Sequence, residues 1–318
     1  MERRQRDAEC HRRAGPPRLQ RRGDCEAVGR QPSASAAGGG AGGGTVIAAS
    51  TSSALALPLA LDPQQTRRWL PRLTRGRAGV FLDYDGTLTP IVDRPEQATL
   101  AAGTRDRLTR LAERCPVTIV TGRDVAVMRG FVQLEQLGYA GCHGMDIDGP
   151  KGSGLRYEAA AALLPEVDSA ERALRGALDG IDGVLVERKR YSVSTHYRLA
   201  AAGDVARVDA AVCSVARAHS ALRREGGKKV FELRPDIDWD KGRAVEWLIE
   251  ALEIDPSSVV YIGDDETDED VFRRLGGHGV SIVVAPADRP TAACYRVRDP
   301  GEVIRVLDLL IGALPRAR

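Results

Sequence analysis

FLDYDGTLT, residues 81–89, is an apolar run that breaks off in two carboxylates and a glycine. Taken with the three residues before it, AGVFLDYD (78–85) has the pattern of a short buried parallel strand with charges at its C-terminal tip. Asp83 and Asp85 are two apart, so they share a face where the strand ends, and Gly86 permits a sharp turn there. Two carboxylates this close repel unless a cation or a shared proton relieves them. An Asp pair before Gly also occurs in ordinary surface turns, so the stretch by itself leaves both readings open.

Similar strand ends recur downstream. PVTIVTG (116–122), LGYAGCHG (137–144), SSVVYIGDD (257–265) and GVSIVVA (279–285) are short apolar runs. Between them lie stretches of helical pattern: 99–115, the segment after Arg123, 238–252 and the closing 301–314. Strands alternating with helices predict a parallel sheet covered on both faces. In such folds the carboxyl ends of the strands form the ligand crevice. Here those ends carry DYD, TGR and GDDETD.

The middle of the chain reads differently. A helix over 155–176 is followed by GVLVERKRYSVSTHYRL (183–199), two strands with ERKR as the turn. A helix over 204–222 and a strand at KKVFELRP (228–235) complete the block. This predicts a small antiparallel or mixed α/β layer inserted between core segments, bounded near 148 and 236. GPKGSG (149–154) and RPDID (234–238) are its expected hinges. Residues 1–50, with AGGGAGGG at 37–44, are expected to be a disordered Arg/Gly/Ala-rich tail. Residues 51–76 are read as a linker with a short helix over 62–75, interrupted at Pro71.

Hydrophobic residues make up 43% of the 318, enough for a sizeable core, and aromatics only 4%, so that core must be mainly aliphatic. The net charge of +2 is uneven: residues 1–30 hold nine Arg against five acids, so the body is slightly acidic. A body of that charge gives no reason to expect nucleic acid. No stretch approaches the ~18 apolar residues of a membrane span. The six cysteines show no CxxC or zinc spacing, so a reducing, cytoplasmic setting is expected, with Cys115 and Cys142 as small core residues.

The polar residues at the strand ends form a chemical set. Asp83, Asp85, Asp264 and Asp265 would converge on one crevice, which is costly without a cation; magnesium suits an all-oxygen site. Thr121 and the amides after it are placed to hold phosphate oxygens. Lys241, opening a helix beside Gly242, would offset charge on phosphate or on a nucleophilic carboxylate. Asp268 would cap a helix or hold Lys241. The parts fit phosphoryl transfer: Asp83 attacks phosphorus, and Asp85 protonates the leaving alcohol and then activates water.

DxDGT at 83–87, Thr121, Lys241 and GDDETD at 263–268 resemble, in order and spacing, the haloacid dehalogenase-like hydrolase superfamily. Over about 77–315 the chain is similar to its trehalose-6-phosphate phosphatase family. The strings that carry this are FLDYDGTLTPIV, TGR (121–123), GCHG (141–144), VERKRYSVSTHYR (186–198), FELRP (231–235), DKG (240–242) and GDDETDEDVF (263–272). The resemblance implies a Rossmannoid α/β core at 77–147 and 237–318, with an inserted α/β cap domain at 148–236. It implies magnesium-dependent hydrolysis of trehalose 6-phosphate, the final step of trehalose biosynthesis, with the sugar phosphate made by a separate enzyme. Metal ligands would be Asp83, the Asp85 carbonyl and Asp264, supported by Asp265 and Asp268. Thr121 and Lys241 would hold phosphate. Arg123, His143 and Gly144 would line the core side of the pocket, and Lys189, His196, Arg198 and Glu232 the cap side. From the residues alone, Lys189 also fits a solvated turn and His196 a satisfied half-buried histidine. A monomer without nucleic-acid or membrane partners is expected. A same-fold phosphatase for another sugar or polyol phosphate is the alternative.

Overall fold

The computed structural model describes residues 51–316, apart from Asp93 and Lys228. The tail expected over 1–50 lies outside the described residues. In chain order the main elements are α1 (Pro63–Trp69), β1 (Gly79–Leu82), α2 (Ala102–Ala112), β2 (Val117–Val120), α3 (Val125–Val132), β3 (Gly138–Gly141), β4 (Asp146–Asp148) and β5 (Arg156–Glu158). Next come α4 (Leu164–Ala177), β6 (Leu185–Lys189), β7 (Ser192–His196), α5 (Val205–Ala218), β8 (Leu222–Gly227) and β9 (Val230–Pro235). The chain closes with α6 (Lys241–Ala251), β10 (Val259–Gly263), α7 (Glu269–Leu275), β11 (Val280–Val284), β12 (Tyr295–Val297) and α8 (Pro300–Ala313).

The large sheet has the order β12-β11-β10-β1-β2-β3-β4-β5. From β12 to β3 all neighbours are parallel. β1 lies at its centre because both faces of VFL are apolar. Val80 and Leu82 join the core under α2, α3 and α8, while Phe81 joins the one under α6 and α7. The sheet is mixed rather than purely parallel, because β4 and β5 add on antiparallel. Residues 155–176, expected as one helix, therefore begin as a strand. Tyr157 explains the switch: it stacks on Trp247 at 4.8 Å and lies 5.1 Å from Trp239, so packing overrides local helical pattern. The helix starts only at Leu164, with Pro165 in its first turn.

The inserted layer is a four-stranded antiparallel sheet, β6-β7-β9-β8, with α4 and α5 over one face. Its hairpin turns at Arg190–Tyr191 rather than over ERKR, which leaves Glu187–Lys189 inside β6. β8 was not anticipated from LRREGG. Its Arg224 stays on the helix face by pairing with Asp209 of α5, while Arg223 and Glu225 take the other face. Residues 51–76 pack onto the core: Trp69 is fully buried, and its Nε1 donates to the Ala60 carbonyl at 3.0 Å. Asp62 starts α1 by accepting from the amides of Gln64 and Gln65. Among the described residues no helix is long and apolar enough to cross a membrane.

Candidate active site

Adjacent strands β10, β1, β2 and β3 end side by side, and the polar residues of the sequence motifs follow them. Asp83, directly after β1, donates its amide to the Ile262 carbonyl of β10 at 2.9 Å. Gly86 turns the chain with φ +86, and a Cβ there would lie 2.1 Å from the Asp264 carboxylate. A side chain at 86 is thus excluded both by backbone strain and by the approach of the second acidic strand end.

Asp83 is 5% exposed, Lys241 2% and Asp268 fully buried. Lys241 Nζ, at the first residue of α6, donates to Asp83 Oδ1 at 2.9 Å and to Asp268 Oδ1 at 2.8 Å. Burial disfavours the ammonium, but Asp268 and Asp83 outweigh it and hold the lysine charged well above its ordinary range. Burial also pushes the Asp83 carboxyl well above the ordinary carboxylate range; Lys241 opposes this, and Asp268 and Asp264 add to it. Asp264 is pushed up to about 7, first by burial and then by Asp268 and Asp265. Asp265 goes the other way: burial works against its charge, but Lys241 and Thr267 hold it below its usual value.

Carboxylate oxygens of Asp83, Asp264 and Asp268 lie within 4.8 Å of one another, so this cluster fits a divalent cation. One lysine does not balance two buried carboxylates and a half-buried third. Within the cluster Asp268 is already committed. Its Oδ1 accepts from Lys241 and from the Tyr261 hydroxyl at 2.6 Å; its Oδ2 accepts from the amides of Asp264 and Asp265. With four donors on two oxygens it has little capacity left for a metal. Asp83 and Asp264 are the carboxylates with capacity to spare.

Asp85 stands apart from that cluster. Both its oxygens accept from Arg123, at 2.6 Å each, and the guanidinium lies over the rings of Tyr84 and Phe131. Thr121 is buried, and its Oγ1 accepts from the Arg123 amide. Its carbonyl accepts from the His143 amide at 2.9 Å. His143 is held in a left-handed conformation (φ +57), with its imidazole against Gly122, where a Cβ would lie 2.8 Å from the ring. Burial first, then Lys241 and Arg234, lower its pKa to about 4. Gly144 lies against α6: a Cβ there would sit 2.4 Å from that of Ala244, and its carbonyl accepts from Trp239 Nε1.

The inserted layer turns its polar sheet face to the core. Register places Lys189 opposite Ser192, and Glu232 opposite Ser194, on that face. Glu232 Oε1 accepts from Lys189, Ser192 and Ser194. Burial raises its pKa, yet Lys189 and the serines bring it down to about 2. Gly122, His143, Lys189, Glu232 and Arg234 line a cleft between the two layers, whose free volume of about 10 Å³ is that of one water. His196 lies on the same face but further along, at the end of β7, paired with Glu187 at 2.8 Å; Arg198 is exposed beyond the strand. Neither lines the cleft. A larger hollow of about 650 Å³ lies at the opposite strand ends, near Ala78, Pro116 and Gly138, and holds none of the clustered carboxylates.

Several residues at the site were not singled out from sequence. Arg234 and the two serines share the Glu232 face by simple alternation, which is the signal that could have found them. Tyr261 was readable as a strand tyrosine whose hydroxyl needs a partner. Asp124 had no local signal, because its partner is the amide of Arg190 in the inserted hairpin.

The trehalose-phosphatase family model matches residues 81–301. A trehalose-phosphate phosphatase of Mycobacterium marinum is 45% identical over 237 residues, covering 73% of this chain and 60% of that protein. One from Mycobacterium tuberculosis is 42% identical over 251 residues, covering 77% and 64%. The chain thus spans less than two thirds of the length of these curated relatives. Among solved structures, an Aspergillus fumigatus trehalose-6-phosphate phosphatase aligns with TM-score 0.60 and 27% identity, covering 80% of this chain and 99% of that one. The C-terminal domain of the Candida albicans trehalose-6-phosphate phosphatase aligns with TM-score 0.63 and 25% identity, covering 81% and 99%.

Proposed function

Because the chain belongs to the trehalose-phosphatase family, we propose that it hydrolyses trehalose 6-phosphate to trehalose and phosphate. The observation that carries this reading is the buried Asp83–Lys241–Asp268 chain beside Asp264, together with the Lys189–Glu232 pair on the polar face of the inserted layer. In this reading the cap is the inserted layer from α4 to β9 within the expected 148–236, and the catalytic core is 77–147 with 237–318 together with β5, which pairs into the large sheet.

Lys241 occupies Asp83 Oδ1, which leaves Oδ2 to attack phosphorus. The new Oδ2–P bond forms as the bond from phosphorus to the sugar oxygen breaks, giving an aspartyl phosphate. The leaving oxygen takes a proton from Asp85. A water then gives its proton to Asp85 while its oxygen attacks phosphorus, which frees Asp83 and releases phosphate. Because Arg123 holds both Asp85 oxygens, that arginine must let go of at least one for the proton steps. Thr121 and Lys241 hold phosphoryl oxygens. Magnesium, when bound at Asp83, Asp264 and the Asp85 carbonyl, supplies positive charge to the transferring group. Asp265 and Asp268 position this set through their hydrogen bonds around the first turn after β10. The reading keeps a monomer in the cytoplasm, acting on a small molecule without nucleic-acid or membrane partners.

The test is phosphate release from trehalose 6-phosphate, glucose 6-phosphate and sucrose 6-phosphate, with and without magnesium. Magnesium-dependent release much faster on the first is expected. Equal rates across the three would replace the reading with a general sugar- or polyol-phosphate phosphatase. Asp83→Asn should abolish turnover while far-UV circular dichroism stays unchanged, and retained turnover would refute the nucleophile.

A further inference from the structure

Two residues that line the cleft each carry a buried polar atom without a hydrogen-bond partner: His143, at Nδ1, on the core wall and Arg234, at Nε, on the cap wall. The Arg234 side chain is 10% exposed, and Nη1 is bound to Glu225 at 3.0 Å, so the guanidinium is fixed while Nε stays open. A buried N–H without an acceptor is costly. His143 adds a second cost through its left-handed backbone. Strain and unmet hydrogen bonding on the two walls of one narrow cleft point to a ligand group between them.

The chemistry selects that group. An arginine donates only, and a neutral imidazole offers one donor and one acceptor. A hydroxyl accepts from Nε and serves His143 in either tautomer. A phosphate oxygen is disfavoured, because Glu232 lines the same cleft and is held ionised by Lys189 and the serines. We propose that Arg234 Nε and His143 Nδ1 grip one hydroxyl of the sugar, so that this hydroxyl is read by cap and core together, and only when the cap is closed. Arg234 is then a specificity-determining residue. The inference rests on the proposed sugar-phosphatase reading and deepens it.

The test compares kcat/KM of the full chain on trehalose 6-phosphate with that on p-nitrophenyl phosphate, which has no sugar, for Arg234→Lys, Arg234→Gln and His143→Asn. Lysine keeps the charge opposite Glu225 but lacks Nε, and Asn tolerates the left-handed backbone. The ratio of the two activities should fall about 10–100-fold in each variant, as for loss of one charge-assisted hydrogen bond. The double variant should be little worse than the poorer single one, since both groups hold the same hydroxyl. An unchanged ratio for both Arg234 variants, meaning that the gap holds only a water, would overturn the grip; so would fully additive losses. If Arg234→Gln does not fold, Arg234→Lys and His143→Asn decide. A wild-type enzyme active on p-nitrophenyl phosphate but not on trehalose 6-phosphate counts against the proposed substrate instead. The same ratio is then taken on whichever sugar phosphate is hydrolysed fastest.

Discussion

Asp268 shows how much a single residue can fix. Its two oxygens hold the ammonium of Lys241, the Tyr261 hydroxyl and the amides of Asp264 and Asp265, so one side chain sets a cation and the neighbouring acidic turn at once. An amide keeps one acceptor oxygen and puts donors where the other stood. Asp268→Asn therefore sets NH₂ against two donors, either the two amides or Lys241 and Tyr261. We expect kcat to fall about 100-fold or more and stability to drop by about 2–4 kcal/mol, from the loss of two buried bonds, one or both charge-assisted. Steady-state kinetics and urea unfolding would check this. Full activity in the variant would show that Lys241 is positioned by Asp83 alone.

Elements differ in how well the sequence announces them. β1 and β10 were legible because each is a continuous apolar run ending in acids, and both properties are local. Asp83, Asp85, Asp264 and Lys241 could be nominated for the same reason: each sits at a strand or helix terminus. β5 and β8 were not legible. Arg156 and Glu158 of β5 pair with Asp146 and the distant Arg190, and the half-buried Arg224 of β8 stays on the helix face through Asp209. Such partners are set by topology, which a local window does not contain. The cap sheet shows the consequence in pH. Glu232 is held at about 2, below its ordinary value of 4.5. A depressed carboxyl lends stability above its unfolded pKa and loses it as pH falls toward the folded one. The window is therefore from about 4.5 down to 2, and the amount is roughly 2–3 kcal/mol. Urea midpoints at pH 6 and pH 3 should differ more for the wild type than for Glu232→Gln. Equal differences would mean that Glu232 is not protected by Lys189 and the serines.

At the scale of the whole molecule the inserted layer packs against the core along the narrow cleft lined by Gly122, His143, Lys189, Glu232 and Arg234. Contacts between the layers gather at the β6–β7 turn. Arg190 donates its amide to Asp124 and its guanidinium to Glu158, and it lies 3.4 Å from Asp146; the Tyr191 hydroxyl donates to Glu158. The Arg190 side chain is 43% exposed, so screening limits its contribution to about 1–2 kcal/mol. On the proposed reading the cap opens to admit the sugar phosphate and closes again for chemistry, and this latch holds the closed arrangement with or without substrate. Weakening it favours the open state equally in both. Arg190→Ala should therefore raise the association and dissociation rates of the proposed substrate, trehalose 6-phosphate, together, by about 5–30-fold, with little change in Kd. Stopped-flow binding in an Asp83→Asn background, where substrate is not consumed, separates the rates. A change in Kd with an unchanged association rate would mean that Arg190 contacts substrate instead of governing the opening of the cap.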